Sequence, residues 1–308
     1  MTTLRIATRS SNLALRQTAL VAERIRSVHA GVDVELVPMS TRGDRHRGAL
    51  EAVGGKGVFT RELEDALRAG RVHLAVHSAK DMPAAMAAEF ALAAVPPRGD
   101  PRDALVSRGG GMDDLPEGAV VGTSSLRRRA QVLALRDDVR IVPVRGNVET
   151  RVAKALGEEA ELDAVVLAMA GLARSGQLEA LGGAVRPLSP EAVIPAGGQG
   201  VLALQIVAAD ARTAELLAPL DDAAARAALE AERFVLRELG AGCHSCVAVH
   251  VEPHRGGWRG RAMAARPNGS EGVGVCCTEA SAERVGRSVL TELVARGAVA
   301  LLGGPAEP

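Results

Sequence analysis

Apolar positions along the 308-residue chain switch repeatedly between two periods. Short apolar runs at Leu4–Thr8 and Val72–Val76 read as buried strands, and Val32–Met39 alternates with the period of two that a strand shows. Between the first two strands, Leu13, Leu20, Val21, Ile25 and Val28 recur at helical spacing behind a Ser11-Asn12 cap. Thr60–Arg68 opens another helix, with Glu62, Glu64 and Asp65 near its positive end. The pattern resumes with strands at Ala119–Val121, Arg140–Val144 and Ala164–Ala168 and helices at Ser125–Leu135 and Val148–Leu156. Such alternation predicts an α/β fold with mostly parallel sheets and right-handed crossovers.

Two punctuated stretches read as joints: Pro96-Pro97-Arg98-Gly99-Asp100-Pro101 and Pro195-Ala196-Gly197-Gly198-Gln199-Gly200. After the second, Val201–Val207 reads as a strand able to return to the first block's sheet. Two crossings between two α/β lobes make a hinge and a cleft. The C-terminal part differs. A long helix over Asp221–Leu239 stops at Gly240, a residue suited to a left-handed cap. Val247–Val251, Trp258–Ala265 and Val273–Cys277, with a Pro267-Asn268-Gly269 turn and a helix over Ala282–Arg296, then predict a small antiparallel α+β domain. The expected domains are 1–96 plus 199–218, 102–194, and 220–308.

Charge and composition narrow the function. Lys+Arg and Asp+Glu both count 37, so no net basic character drives nucleic-acid binding, and aromatics at 1% leave no base-stacking platform. The N-terminus has no signal-peptide pattern and no apolar run spans a bilayer, so the expectation is a cytoplasmic chain off the membrane. Cys243, Cys246, Cys276 and Cys277 superficially resemble zinc spacing, but an adjacent second pair is poor geometry for one tetrahedral ion, and no metal is expected. Only Lys56, Lys80 and Lys154 are lysines; codon bias accounts for most of the arginine surplus, and the three lysines gain interest by contrast.

Chemistry concentrates where strands end, the default ligand position of open α/β sheets. Ala7-Thr8-Arg9-Ser10-Ser11, Gly54-Gly55-Lys56-Gly57 with Phe59, and His77-Ser78-Ala79-Lys80-Asp81-Met82-Pro83 all sit at such positions. So do Gly122-Thr123-Ser124-Ser125-Leu126-Arg127-Arg128-Arg129, Arg145-Gly146-Asn147 with Arg151, and Arg174. Singly each has an ordinary reading: surface arginines, a flexible glycine loop, a hydrogen-bonded structural histidine, a core phenylalanine. Together they centre cationic and hydroxyl groups on one acid, Asp81, and predict a cleft for a polycarboxylate. Cys243, projected from the glycine loop Gly240-Ala241-Gly242, is the candidate nucleophile, against the alternative of a buried small hydrophobe. A hinged, non-catalytic carboxylate-binding module explains the arginines but neither Asp81 nor Cys243, and a zinc enzyme ranks third.

The segments RIATRSSNLAL, VPMSTRGD, VGGKGVFTRELEDAL, VHSAKDMP, GDPRDALVSR, VGTSSLRRRAQ, VRGNVETR, LAMAGLAR, IPAGGQG and LGAGC, in this order over residues 4 to 243, resemble the porphobilinogen deaminases, also called hydroxymethylbilane synthases. The resemblance implies two hinged doubly wound α/β lobes, resembling periplasmic-binding-protein domains, plus a small C-terminal α+β domain with an antiparallel sheet. It implies a transferase that joins four porphobilinogens head to tail, releasing ammonia, to form the linear tetrapyrrole hydroxymethylbilane of heme biosynthesis. The primer is a covalent dipyrromethane, one per chain, in thioether linkage to a cysteine, which motif match places at Cys243.

Further implied roles follow the motifs. Asp81 is the catalytic residue, holding pyrrole N–H groups and stabilising the azafulvene cation left when ammonia departs. Lys80, Asp81, Ser78, Thr123, Ser125, Arg127, Arg128 and Arg145 accompany Cys243 in cofactor binding. Arg9, Ser11, Lys56, Phe59, Arg145, Arg151, Arg174 and Gln199 bind substrate. The expected partner is porphobilinogen alone; the protein is a monomer whose product passes to the next tetrapyrrole enzyme. Two departures stand out. The stretch Leu50-Glu51-Ala52-Val53 lacks a second lysine that family members often carry, and Cys246 occupies a position where a proline is common.

Overall fold

The structure is a computed structural model that describes residues 2–45, 57–242 and 245–303. It divides into two compact units, Met1–Gly99 with Val201–Arg226, and Asp100–Gly200 with Ala227–Pro308. In chain order come β1 (Thr2–Arg9), α1 (Asn12–Val28), β2 (Val32–Met39), α2 (Arg42–Arg45), α3 (Arg61–Arg68), β3 (Leu74–Ser78) and β4 (Phe90–Ala94). There follow β5 (Asp103–Ser107), β6 (Val120–Gly122), α4 (Leu126–Leu135), β7 (Arg140–Val142), α5 (Val148–Leu156), β8 (Ala164–Ala168), α6 (Met169–Arg174), α7 (Gln177–Leu181) and β9 (Val185–Pro187). The chain continues with β10 (Leu202–Val207), α8 (Ala211–Leu217), α9 (Ala223–Glu238), β11 (Val247–His254), β12 (Gly257–Ala265), β13 (Gly272–Glu279), α10 (Ala282–Ala295) and α11 (Ala298–Gly303).

The first unit holds a sheet of order β2-β1-β3-β10-β4. Period-two burial makes its two faces. Leu4 and Ile6 of β1 with Leu74 and Val76 of β3 pack against Val21 and Ile25 of α1, whereas Ala7 and Ala75 face Leu63, Ala66 and Leu67 of α3. The second unit repeats the plan as β7-β6-β8-β5-β9. There Val165 and Leu167 meet Val152 and Leu172 on one face, and Ala164 and Val166 meet Val132 on the other.

The expectation of mostly parallel sheets needs correction. β1 is parallel to β2 and β3, but β10 runs antiparallel to β3 and β4; likewise β6 is parallel to β7 and β8, but β5 is antiparallel to β8 and β9. β5 and β10 each follow a strand of the other sheet through a Pro/Gly joint, so no βαβ crossover sets their direction. The strands absent from the sequence reading are β4, β5 and β9. β4 is alanine-rich, and β5 carries only three apolar residues between Asp103 and Ser107, so neither stands out by pattern.

Three strands in the order β11-β12-β13 form an antiparallel third sheet. Val249, Val251, Ala262 and Val275 pack against Ala231 and Val235 of α9 and Val285 and Val289 of α10. Buried Glu232 on α9 accepts the Gly198 N–H at 2.6 Å and the Val251 N–H at 2.8 Å, tying the second joint to this sheet. At Gly240, φ is +63°, and the Ala241 N–H returns to the Leu236 carbonyl, ending α9 in the expected left-handed cap.

Close approach of α10 to the sheet depends on Gly260. A Cβ there would lie 2.3 Å from Val285 Cγ1 and 3.0 Å from Val289 Cγ2. Gly260→Ala should overpack this core by about 1–3 kcal/mol and lower the midpoint of thermal unfolding by several degrees in calorimetry. An unchanged midpoint would mean that the helix can move away freely.

Candidate active site

In the first unit, neighbouring parallel strands β1 and β3 end side by side. β1 delivers Arg9, and β3 delivers Ser78, followed by a 3-10 turn over Ala79–Asp81. The Ala79 N–H to Val201 carbonyl bond (3.0 Å) and the Met82 N–H to Ala79 carbonyl bond (3.2 Å) hold that turn. Asp81 thereby sits with its side chain 38% exposed and its Oδ2 3.9 Å from Arg9 Nη1. The other edge of Arg9 is occupied: Nε donates to Asp44 Oδ2 at 3.3 Å, and Nη2 donates to Asp44 Oδ1. The guanidinium carbon of Arg9 lies over the Phe59 ring, 4.3 Å from its centroid.

Asp44 is itself held by Thr41, whose N–H and hydroxyl reach Oδ2 at 3.2 and 2.8 Å. Burial pushes the Asp44 carboxyl up, but the hydrogen bonds and charge of Arg9, with Thr41, outweigh it and leave it below the usual carboxylate value. A small cavity of about 20 Å³ lies among Arg9, Phe59, Ser78 and Asp81, room for one water. Ser78 Oγ donates to Gln17, and His77 bonds Gln205 at 2.9 Å inside the sheet, the structural reading of that histidine. Ser11 accepts the Ala14 N–H and caps α1. Lys80 lies half-buried in the Asp81 turn. Lys56 lies outside the described residues.

In the second unit, the parallel strands β7, β6 and β8 end at one sheet edge, where Arg145, Thr123 and Ser125, and Arg174 follow them. Ser125 caps α4, accepting the Arg128 N–H, and Thr123 Oγ1 accepts the Ser125 N–H. Ser124 Oγ both donates to and accepts from the Val144 backbone, joining two of these loops. Arg151 Nε donates to the Gly146 carbonyl at 2.9 Å, and Arg145 is half-buried. Arg174 Nη2 donates to the Gly200 carbonyl at 2.6 Å; burial alone pushes its pKa down to about 10.

Arg127 and Arg128 point inward. Only 4% and 7% exposed, they share Asp103, the fully buried first residue of β5, at 2.7 and 2.6 Å. Arg127 also donates to the Ile194 carbonyl and Arg128 to that of Val166. Gln199 Nε2 donates to Asp103 Oδ1 at 2.9 Å and to the Pro101 carbonyl. Asp103 and Asp44 were missed in the sequence reading. Their signal was an acid abutting an apolar or glycine-containing segment inside a motif rich in arginine.

A profile described as "Porphobilinogen deaminase, dipyromethane cofactor binding domain" matches residues 4–215. A porphobilinogen deaminase from Roseiflexus sp. (strain RS-1) is 45% identical, covering 98% of this chain and 99% of its own length. The chain belongs to the porphobilinogen deaminase family. Another member, from Stenotrophomonas maltophilia (strain K279a), is 49% identical over 84% of this chain and 83% of its own. Among solved structures, the methionine binding protein MetQ is similar at TM-score 0.45 and 11% identity, covering 71% of this chain and 89% of MetQ. The periplasmic aliphatic sulphonate binding protein SsuA from Escherichia coli is similar at TM-score 0.41 and 15% identity, covering 77% and 70%.

As a porphobilinogen deaminase, the chain is a transferase that polymerises four porphobilinogens into hydroxymethylbilane on a dipyrromethane primer. The second unit suits such an anionic group. Two buried guanidiniums share one carboxylate, and among the described residues only the Gly200 carbonyl is seen to pair with Arg174. That leaves positive charge for carboxylates to balance.

Cys243 lies outside the described residues, so the thiols beside it carry the argument. Cys246 is 3% exposed among Ala130, Ala248 and Met263, and burial pushes its pKa up to about 11. It is therefore protonated and shielded at neutral pH. Alkylation of native protein at pH 8, followed by peptide mass spectrometry, should modify exposed Cys276 and spare Cys246 until the chain is unfolded. Rapid native modification of Cys246 would contradict this burial.

Proposed function

We propose that Asp81 is the catalytic carboxylate of porphobilinogen polymerisation and that Arg9 is its charged neighbour. The 3.9 Å approach of Arg9 Nη1 to Asp81 Oδ2, at the ends of adjacent parallel strands, is the observation that supports this most. Asp81 is exposed enough to meet a pyrrole N–H and anionic enough to balance the cation left when ammonia departs. Its carboxylate can also hold a proton during addition.

Arg145, Arg151 and Arg174, with Lys56 and the hydroxyl of Ser11, bind the acetate and propionate arms of substrate, and Gln199 and Phe59 support this set. Arg145, Thr123, Ser125, Ser78 and Lys80 hold the primer; Arg127 and Arg128, buried against Asp103, serve instead by fixing the start of α4 from which Thr123 and Ser125 are presented. The α4 amides behind Thr123 and Ser125 add a helix N-terminus that favours anions. Dipyrromethane, attached by a thioether to Cys243, supplies the pyrrole carbon on which the chain grows. The buried, protonated state of Cys246 supports Cys243 as the anchor.

The three sheets act as three domains, 1–96 plus 199–218, 102–194, and 220–308. Among the described residues no helix is long and apolar enough to cross a membrane. The protein works as a cytoplasmic monomer, binds neither nucleic acid nor membrane, and passes its product to the next tetrapyrrole enzyme.

Two measurements test these assignments. Intact-mass and peptide spectrometry should find an adduct of two linked pyrrole units on Cys243; an active chain without it would refute the anchor. Asp81→Asn should lower kcat by about 10²–10⁴-fold with a much smaller change in substrate affinity. Near-native turnover would remove Asp81 from the chemistry.

A further inference from the structure

Arginine beside a catalytic acid poses a geometric problem. A guanidinium presents a two-nitrogen edge that matches a carboxylate bidentately, and a free Arg9 would close on Asp81 in that way. Such a pair would leave Asp81 with both oxygens engaged. The structure has another arrangement. The Nε/Nη2 edge faces Asp44, and only Nη1 is directed toward Asp81, at 3.9 Å.

Each residue around Asp44 serves that arrangement. Thr41 fixes Oδ2 with two donors, and the Asp44 N–H returns to the Thr41 carbonyl at 3.1 Å, closing the turn on itself. Gly43 leaves room for the aromatic ring: a Cβ there would lie 2.0 Å from Phe59. The Phe59 ring can then lie beneath the Arg9 guanidinium carbon, and the Gly43 N–H to Val58 carbonyl bond (3.1 Å) holds the two segments together. Thr41, Gly43 and Asp44 thus act on a single guanidinium from three directions: anchor, clearance and edge.

We propose that Asp44 is a positioning residue for the polymerisation: by occupying one edge of Arg9 it directs the single remaining nitrogen at Asp81 and keeps the Asp81 carboxylate free for substrate. This deepens the Asp81 reading and rests on it. Asp44 touches no reacting atom; it acts through Arg9.

A double-mutant cycle on the holoenzyme tests it, with primer loading verified by intact mass. Asp44→Asn should lower kcat about 10-fold with KM within about 3-fold, and Arg9→Met should lower it further. In the Arg9→Met background the Asp44→Asn change should have almost no additional effect, because the residues act as one unit. An equal Asp44→Asn loss in both backgrounds, or a loss confined to KM, overturns the proposal. Thr41→Val, which removes the two hydrogen bonds the Thr41 hydroxyl makes with Asp44, takes the place of Asp44→Asn in the cycle if the latter does not fold.

A second readout is independent of turnover. The ¹⁵N–¹H resonance of Arg9 Nε, identified by its loss in Arg9→Met, should exchange slowly with water in the native protein and rapidly in Asp44→Asn. Unchanged exchange overturns the proposal. Near-native turnover of Asp81→Asn would instead overturn the Asp81 reading while leaving Asp44's hold on Arg9 to be read by this signal alone.

Discussion

Asp103 is the point on which the second unit turns. Fully buried at the head of β5, it accepts from Arg127, Arg128 and Gln199 at once. Those donors come from the first turn of α4 and from the second joint, and their remaining groups bond the carbonyls of Ile194, Val166 and Pro101. One carboxylate therefore sets the position of a helix start, a strand and a joint relative to each other. Its ionised form is favoured far below the usual range: burial opposes the charge, and the two guanidiniums overcome that opposition. The α4 N-terminus, with Ser125 as cap, inherits its direction from this contact.

The first unit solves a similar problem at smaller scale. Arg9 meets Asp44, Asp44 meets Thr41, and Phe59 covers the guanidinium face. In both units arginine is paired with an acid supplied by a segment remote in sequence: Arg9 with Asp44, and Arg127 and Arg128 jointly with Asp103. The site arginines are thus of two kinds. Arg127, Arg128 and Arg9 are anchored to carboxylates, whereas Arg174 and Arg151 are seen bonded to backbone carbonyls.

Much of this was legible in the chain. Short apolar runs located β1, β3, β6 and β8, whose strands are covered on both faces, and period-two and period-3.6 patterns located β2 and the helices between them. The motifs placed Asp81, Arg9, Thr123 and Ser125 at strand ends. What escaped was long-range. Nothing local marks Asp103 as the partner of Arg127, since the pair joins β5 to α4 across 24 positions. Strand β4 lacked β-branched residues, and the antiparallel entry of β10 depends on what precedes it rather than on its own sequence. Cys246 stands three residues after Cys243; its burial against Met263 is a property of the third sheet, which local spacing does not express.

The acids paired with the arginines have a consequence for the life of the protein before its ligand arrives. A receptor built for a polyanion must first exist empty, with its cationic lining unbalanced. By assigning Asp44 and Asp103 to the most crowded guanidiniums, the fold lets the chain assemble around internal neutrality and keep only a modest surplus of charge for the incoming carboxylates. The balance of 37 acidic against 37 basic side chains is, in this sense, local as well as global. Pre-paired arginines allow the vacant protein to be stable and still be charged.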